Sequence, residues 1–164
     1  DKKKLENRLI VLSEIDALTS ISNRGSGERR AEKLINSGVK GMFCLLDVDK
    51  FKSSNDSFGH TVGDKALIEI ADCLRRSFTG SDVVMRLGGD EFCIIFRDCY
   101  QDAIEQRMSE IQQAFSQGYS LYSKSFSYGL VQVPEGHGAL SLNELMEQAD
   151  ALMYQQKKAR RNAR

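Results

Sequence analysis

The chain has 164 residues, of which 41% are hydrophobic and 28% are charged, and its formal net charge at pH 7 is zero. This length and composition are typical of one soluble domain with its own core, and the zero net charge excludes a global field that attracts nucleic acid or anionic membranes. The sequence contains neither a signal-peptide pattern nor an apolar run near the roughly 18 residues of a membrane span.

The four cysteines form no CxxC pair, and three of them lie in or beside apolar runs (Cys44, Cys73, Cys93 and Cys99 in all). This placement favours buried, reduced thiols over disulfides or zinc ligands. We therefore expect a cytoplasmic domain. Because the chain begins with Asp1 rather than methionine, we also expect it to be part of a longer protein, whose other regions could include a sensor or a membrane anchor.

Residues 1–15 are predicted to form a helix, with Leu5, Leu9 and Leu12 at alternating four- and three-residue steps. This spacing is typical of a coiled-coil seam about two heptads long. Two interpretations remain open. The segment is either an amphipathic helix that packs on its own domain or the end of a longer signalling helix.

Helical and strand patterns alternate along the rest of the chain. Helices are predicted over residues 26–36, 65–77 and 102–117, and a last helix runs from a cap at Ser141 to the basic run at 157–161. Strands are predicted over residues 42–49, 83–85, 92–96 and 125–133, and a polar loop or short helix over 50–64. This order predicts an α+β fold, with a sheet of mixed strand direction and helices mainly on one face.

The two strands at 83–85 and 92–96 are predicted to form a β-hairpin around Gly88 and Gly89, because glycine supplies the positive φ angles that tight turns need. The turn also carries Asp90 and Glu91. Acidic residues in a turn are ordinarily solvated. Their meaning therefore depends on whether another acidic strand end lies beside them.

The strand at 42–49 provides such an end, because it finishes with Asp47 and Asp49. If this strand is next to the hairpin, three or four carboxylates converge with Asp90 and Glu91, and no histidine lies among them. Hard oxygen ligands without imidazole or thiolate select Mg²⁺ or Mn²⁺ over zinc. Two such ions roughly 3.5–4 Å apart would clamp the attacking and leaving oxygens of a phosphoryl displacement.

Basic residues accompany these carboxylates. Lys50 and Lys52 follow the strand, and Lys157 and Arg161 lie near the end of the chain. Such side chains could neutralise a triphosphate. From charge alone, however, ordinary surface residues remain the preferred interpretation.

Six short motifs, taken in order, resemble those of the GGDEF domain, the diguanylate cyclase family, over residues 16–162. They are DALTSISNR at 16–24, DVDKFK at 47–52, NDSFGH at 55–60 with Gly63 and Asp64, RLGGDEF at 86–92, SYG at 127–129, and ADALMY at 149–154 followed by Lys157, Arg161 and Asn162.

This resemblance implies a fold like the nucleotidyl-cyclase and polymerase palm, of βααββαβ type, with a mainly antiparallel sheet flanked by helices. It implies a nucleotidyltransferase that condenses two GTP molecules into the bacterial second messenger cyclic di-GMP and releases two pyrophosphates. A homodimer brings two GTP-loaded domains together head to tail. Residues 1–15 would then be a signalling or linker helix and residues 16–164 the catalytic domain, regulated by an N-terminal sensor of the parent protein.

The resemblance also assigns roles to single residues. Asp47, the carbonyl of Val48 and Asp90 would bind two Mg²⁺ or Mn²⁺ ions per active site, and Glu91 would be either a further metal ligand or the base that takes the 3′-hydroxyl proton. The phosphates would be held by the amides of Lys50 and Phe51 and by the side chains of Lys52, Lys157 and Arg161.

Asn55 and Asp64 would read the guanine base. A carboxylate can accept hydrogen bonds from guanine N1–H and the 2-amino group, whereas adenine presents an unprotonated N1 there. A site built around such a bond rejects the wrong base strongly. Asp64 therefore argues against variants of the family that also use ATP.

The chain departs from the family pattern at two positions. The product-inhibition motif is Arg-x-x-Asp, but here Thr79 replaces the arginine while Asp82 is present. We therefore predict weak or absent feedback inhibition through this site, because a bidentate guanidinium contact is lost. Arg160 stands where the family has glycine, and we expect this to alter only the local turn.

Other charged residues are expected to be structural. Asp16 and Arg24 are predicted to brace the polar connector at residues 16–25 by a salt bridge and helix capping, and Arg86 is predicted to pin the hairpin. Asp49 alternates away from Asp47 along the strand and is expected to face the other side.

Two alternatives to an active diguanylate cyclase remain. The first is a catalytically silent GGDEF module that binds GTP or a partner and regulates an attached domain. The second is a dual-substrate cyclase that makes a mixed purine product. The presence of Asp47, Asp90 and Glu91 favours the active enzyme.

Overall fold

The computed structural model describes residues 1–78, 82–118, 121–136 and 140–162, except for the side chains of residues 10–12. The elements, in chain order, are α1 (Lys2–Glu14), α2 (Arg24–Asn36), β1 (Gly41–Val48), α3 (Phe51–Phe58), α4 (His60–Ser77), β2 (Val83–Gly88), β3 (Glu91–Arg97), α5 (Gln101–Gln117), β4 (Phe126–Val133) and α6 (Leu142–Asn162). Among the described residues, no helix is both long enough and apolar enough to cross a membrane.

The four strands form one sheet in the order β2-β3-β1-β4, and every neighbouring pair is antiparallel. This confirms the α+β class and the antiparallel sheet that the family resemblance implies. The expectation of mixed strand direction is wrong. A short turn joins β2 to β3 and helical connections join the other strands. Element order alone does not determine the direction in which such helical connections return the chain.

Helices cover both faces of the sheet, so the prediction that they lie mainly on one face is also wrong. Alternate residues of β1 point to opposite sides, and all eight of its residues are buried. Met42 and Leu46 pack in a cluster with α4 and α5, whereas Phe43 and Leu45 pack in a second cluster with α2 and α6. The continuous apolar run of β1 therefore reflects burial on two faces, as expected for a central strand.

The polar segment at 50–64 is the short helix α3 followed by the first turn of α4. Lys50 adopts a left-handed conformation with φ of 55°, and α3 begins at the next residue. Gly59, with φ of 90°, separates α3 from α4. Because the chain turns sharply at this glycine, α4 begins at His60 rather than at residue 65, and Asp64 lies on the helix rather than in a loop.

Two predicted helix ends are confirmed. Ser141 accepts a hydrogen bond from the Glu144 N–H at 3.1 Å and donates one to the Glu144 carboxylate at 3.2 Å, in a capping arrangement at the start of α6. Gly38 follows α2 with φ of 79°, as a terminating glycine should. On α1, the side chains of Leu5 and Leu9 are 61% and 60% exposed. The side chain of Leu12 lies outside the described part of the chain.

Candidate active site

A cleft of about 630 Å³ opens where β1 ends, between the start of α3, the hairpin turn and the last turns of α6. It brings together eight of the predicted site residues: Asp47, Val48, Lys50, Phe51, Lys52, Asp90, Lys157 and Arg161. Asp49, Ser53, Asp56 and Arg160 complete its lining. Glu91, Asn55 and Asp64 lie outside this lining.

Asp47 is the most buried charged group in the cleft, at 8% exposure. One carboxylate oxygen, Oδ2, accepts a hydrogen bond from Lys157 Nζ at 2.6 Å. The other, Oδ1, is buried and has no hydrogen-bond partner among the described residues. Burial, followed by the contact with Asp90, raises the pKa of Asp47 to about 7 in spite of Lys157.

The hairpin turn places the other carboxylates beside Asp47. Gly88 and Gly89 have φ of 147° and 49°, so glycine provides the turn conformation as predicted. The carbonyl of Asp90 accepts a hydrogen bond from the Val48 N–H at 3.2 Å, and Glu91 is directly opposite Asp47 across the β1–β3 pair. Burial first, and then the charge of Asp47, raise the pKa of Glu91.

The predicted convergence of three or four carboxylates is not seen in the described ranges, where no three His, Cys, Asp or Glu side chains form a metal-binding group. Carboxylates without a cation repel one another, and Lys157 supplies positive charge to Asp47 instead. The site nevertheless suits a divalent cation. Oδ1 of Asp47, which has no hydrogen-bond partner among the described residues, is a hard oxygen ligand of the kind that such a cation prefers.

The start of α3 contributes backbone donors to the same cleft. No side chain caps this helix, and the first backbone bond in the helix joins the Ser54 N–H to the Lys50 carbonyl. The N–H groups of the first turn, beginning with Phe51, therefore have no partner within the helix. Such groups bind anions readily, and Lys52 and Arg161 lie on the same cleft.

Asn55 and Asp64 lie on the neighbouring helices α3 and α4. The amide oxygen Oδ1 of Asn55 is buried without a hydrogen-bond partner in the described part of the chain. It packs so closely on Gly63 that a Cβ there would lie 1.7 Å from it. The exposed Asp64 follows Gly63 directly in the chain. The close packing of Asn55 on Gly63 therefore brings the two residues that are predicted to read the base near each other.

Asp49 and Arg160 form a contact that sequence reasoning missed. Asp49 accepts hydrogen bonds from the hydroxyls of Ser125 and Ser127, both at 2.6 Å, and from Arg160 Nη1 at 2.8 Å. Arg160 also donates to the carbonyl of Phe126. The expectation that Arg160 alters only a local turn is therefore wrong, because α6 continues through this position. The available signal was the spacing of Lys157 and Arg160, which places both on one face of a helix.

Arg86 pins the hairpin as predicted, through hydrogen bonds from Nε and Nη2 to the Gly89 carbonyl at 3.1 and 2.8 Å. Its Nη1 also pairs with Asp16 at 3.2 Å. The predicted Asp16–Arg24 salt bridge is wrong, because Arg24 pairs with Glu28 at 2.8 Å. Burial raises the pKa of Asp16, but hydrogen bonds from Thr19 and the charge of Arg86 outweigh this and leave it lowered.

Two positions define the product-inhibition motif. Thr79 lies outside the described residues, and Asp82 lies within them. Asp82 is 8% exposed and accepts a hydrogen bond from the Arg97 N–H at 3.4 Å. The two preceding arginines, Arg75 and Arg76, both contact Asp72. Arg75 forms an ion pair with its carboxylate, and Arg76 donates a hydrogen bond to its carbonyl at 3.3 Å. Weak feedback inhibition through this site therefore stays a prediction.

Comparison with known proteins adds an independent observation. The profile of the family described as "Diguanylate cyclase, GGDEF domain" matches residues 13–163. The chain is 34% identical over 143 residues to the probable diguanylate cyclase DgcJ of Escherichia coli K12, covering 85% of this chain and 28% of DgcJ. It is 34% identical over 168 residues to the bifunctional diguanylate cyclase/cyclic di-GMP phosphodiesterase MucR of Pseudomonas aeruginosa, covering 97% of this chain and 24% of MucR.

The fold is similar to that of a solved domain. The GGDEF domain of DgcB from Caulobacter crescentus, in complex with c-di-GMP, matches with a TM-score of 0.78 and 26% identity, over 90% of this chain and 91% of that one. The chain spans only about a quarter of the length of DgcJ and MucR, 28% and 24%. Because the family profile covers nearly all of its residues, the chain belongs to the GGDEF domain family of diguanylate cyclases.

Proposed function

We propose that this chain is a divalent-metal-dependent diguanylate cyclase domain that condenses two GTP molecules into cyclic di-GMP. The observation that carries the proposal is the buried Asp47 carboxylate, which has an unpaired oxygen beside Asp90, in a cleft that also holds the uncapped start of α3. A site of this kind pairs a cation-seeking carboxylate with donors for phosphate oxygens.

Asp47, the Val48 carbonyl, Asp90 and Glu91 would hold the metal, proposed as two Mg²⁺ or Mn²⁺ ions. When bound, the ions would stabilise charge on the phosphates and on the departing pyrophosphate. Lys157 leaves Asp47 in this arrangement and pairs with a phosphate. Lys52, Arg161 and the first amides of α3 orient the triphosphate.

The reaction needs a base and a second nucleotide. The 3′-hydroxyl of each GTP attacks the α-phosphorus of the other, so that two P–O bonds to the 3′-oxygens form, and the two bonds from the α-phosphorus atoms to their bridging oxygens break to release two pyrophosphates. Glu91 is either a further metal ligand or the base that takes the hydroxyl proton. Asn55 and Asp64 select guanine.

A head-to-tail homodimer supplies the second GTP, since each domain holds one. The exposed Leu5 and Leu9 on α1 support a helix that continues into a parallel pair. We place this domain in the cytoplasm, under the control of a sensor region in the parent protein. Residues 1–15 would be the linker helix and residues 16–164 the catalytic unit.

The test is product analysis with the chain dimerised through a coiled coil fused before α1. The protein is incubated with Mg²⁺ and GTP, ATP or both, and the products are separated by chromatography. We expect cyclic di-GMP from GTP, about a thousandfold less from Asp90→Asn, and wild-type rates from Glu147→Gln, which removes an exposed charge on α6. Binding of GTP without product would indicate a silent module, and a mixed product would indicate a dual-substrate cyclase.

A further inference from the structure

Two ion pairs join the last turns of α6 to the end of β1. Lys157 pairs with Asp47 at 2.6 Å, and Arg160 pairs with Asp49 at 2.8 Å. The two bases are three residues apart on one helix face, and the two acids flank Val48. Lys157 already has a proposed role at the phosphates, whereas the proposed function gives no role to Arg160.

Arg160 is held in place by contacts on two strands. Its Nη1 donates to Asp49 at the end of β1 and to the Phe126 carbonyl at the start of β4. The Asp49 side chain is 16% exposed, and in the described ranges Arg160 is its only ion-pair partner. The hydroxyls of Ser125 and Ser127 hold the carboxylate without neutralising it.

The charge of Asp49 matters because Asp49 lines the cleft together with Lys50 and Phe51. A carboxylate of low exposure next to a triphosphate repels it, and the effect is strong where water screens poorly. Asp49 is also adjacent to Lys50, whose left-handed conformation sets the direction in which α3 starts. A single guanidinium therefore both cancels the charge and anchors the turn that presents the α3 amides.

We propose that Arg160 is a positioning residue for nucleotide binding. It neutralises and fixes Asp49, so that the turn at Lys50 can accept a triphosphate without repulsion. This inference rests on the proposed function, because it needs a nucleotide in the cleft. It differs from the roles of Lys157 and Arg161, since Arg160 acts through Asp49 and not by touching the phosphates.

The experiment measures nucleotide affinity by isothermal titration calorimetry with Mg²⁺. The ligands are 3′-deoxy-GTP, which lacks the attacking hydroxyl and is not consumed, and GMP, which lacks the β- and γ-phosphates. We expect Arg160→Ala to weaken 3′-deoxy-GTP binding about tenfold, and GMP binding by less than about twofold, because repulsion grows with phosphate charge. Lys158→Ala, which removes the same charge from an exposed position on the same helix, should bind both ligands as the wild type does.

The decisive variant is the double substitution Arg160→Ala with Asp49→Asn. Asparagine keeps the shape of Asp49 and can still bond to Ser125 and Ser127, but it carries no charge to repel phosphate. We expect the double variant to recover affinity for 3′-deoxy-GTP to within about threefold of the wild type. A merely structural Arg160 would give the opposite result, because a second change in the same network would weaken binding further.

Several outcomes would overturn the inference. If the wild type binds 3′-deoxy-GTP and Arg160→Ala matches Lys158→Ala, the inference fails and the proposed function stands. If the double variant binds more weakly than Arg160→Ala, Arg160 does not act by neutralising Asp49. A wild type that binds neither ligand overturns both the inference and the proposed function. Thermal unfolding confirms that each variant is folded, and Arg160→Gln replaces Arg160→Ala if the alanine variant is unfolded at the assay temperature.

Discussion

At the end of β1, the carboxylates beside the hairpin and the carboxylate beside β4 differ in whether their oxygens have hydrogen-bond partners. On the hairpin side, Asp47 has an unpaired buried oxygen and a pKa raised to about 7, and the pKa of Glu91 is raised as well. On the β4 side, both oxygens of Asp49 accept hydrogen bonds, from Ser125, Ser127 and Arg160.

The difference distinguishes carboxylates that stabilise the fold of this domain from carboxylates that are available to a ligand. A carboxylate whose partners are all protein groups contributes to stability as folded. A buried carboxylate oxygen that lacks a partner, such as Oδ1 of Asp47 among the described residues, costs free energy until something outside the protein supplies one. By this measure, the carboxylate on the hairpin side is available to bind a ligand, and the carboxylate on the β4 side stabilises the fold around the site.

The largest effect is expected from Asp90→Asn. Loss of a proposed metal ligand should reduce cyclic di-GMP formation by about a thousandfold, while the domain stays folded. Without metal the variant should unfold at a higher temperature than the wild type, because one source of repulsion on Asp47 is removed. Chromatography of the product and thermal unfolding in EDTA give the two measurements.

A variant that lost both activity and stability would contradict the division between the two sides. Glu147→Gln is the matched control, since it removes an exposed acidic charge far from the hairpin in sequence. It should leave both measurements unchanged.

Asp49→Ala should have the opposite profile. It removes the acceptor of the hydroxyl of Ser127, a fully buried residue, and the ion-pair partner of Arg160, whose guanidinium keeps its hydrogen bond to the Phe126 carbonyl. We expect it to lower the free energy of unfolding by about 2 kcal/mol. Asp49→Asn should cost less, because it keeps an oxygen for the serines. Urea denaturation measures both, and equal losses for the two variants would show that the hydrogen bonds from the serines add nothing to stability beyond the charge of Asp49.

The metal-free protein should become less stable as the pH rises. Folding raises the pKa of Asp47 from 3.8 to about 7, so the folded state keeps a proton that the unfolded chain releases. The stabilisation by this group is therefore complete below about pH 4 and is lost as the pH approaches about 7. The raised pKa of Glu91 acts in the same direction.

Unfolding temperatures in EDTA across this range, for the wild type and for Asp47→Asn, isolate the contribution of Asp47. The difference between the two proteins should change steadily with pH. Adding Mg²⁺ above pH 7 should stabilise the wild type and have little effect on the variant. A pH-independent difference would contradict the proposed state of the carboxylate.

The smallest effect is expected at the connector. Asp16→Asn weakens the ion pair with Arg86 but leaves the Arg86 bonds to the Gly89 carbonyl. We expect a loss of about 1 kcal/mol in unfolding free energy and a decrease in activity of only a few-fold. Steady-state kinetics and urea denaturation test this. A loss of activity as large as that of Asp90→Asn would indicate instead that Asp16 takes part in the reaction.

Local features of the fold were predictable because they depend on nearby residues. Periodicity located the helices and strands, and the glycines of the hairpin indicated its turn. Strand direction and the second helical layer were missed, since they depend on which elements meet. A continuous apolar run such as that of β1 is typical of a strand covered on both faces, but it does not identify α2 and α6 as the helices on the second face.

The same limit applies to the site. Asp47, Asp90 and the basic residues were identified from strand ends and from family motifs, and the cleft brings most of them together. The partners of Asp16 and Asp49 were not identified, because Arg86 and Arg160 lie 70 and 111 residues away in the chain. Long-range ion pairs have no local pattern, so only the folded geometry reveals them.

The sheet order has a consequence for how the domain is made. β1 is the first strand to be synthesised, but it becomes central: Met42 pairs with Phe96 on one side and with Gln132 on the other. Such distant pairings slow folding, and until they form, an apolar strand remains unpaired along both edges. A growing chain on the ribosome therefore cannot complete the cleft at the end of β1 before β4 and α6 emerge. We expect C-terminal truncations within α6 to aggregate rather than to give a smaller folded domain.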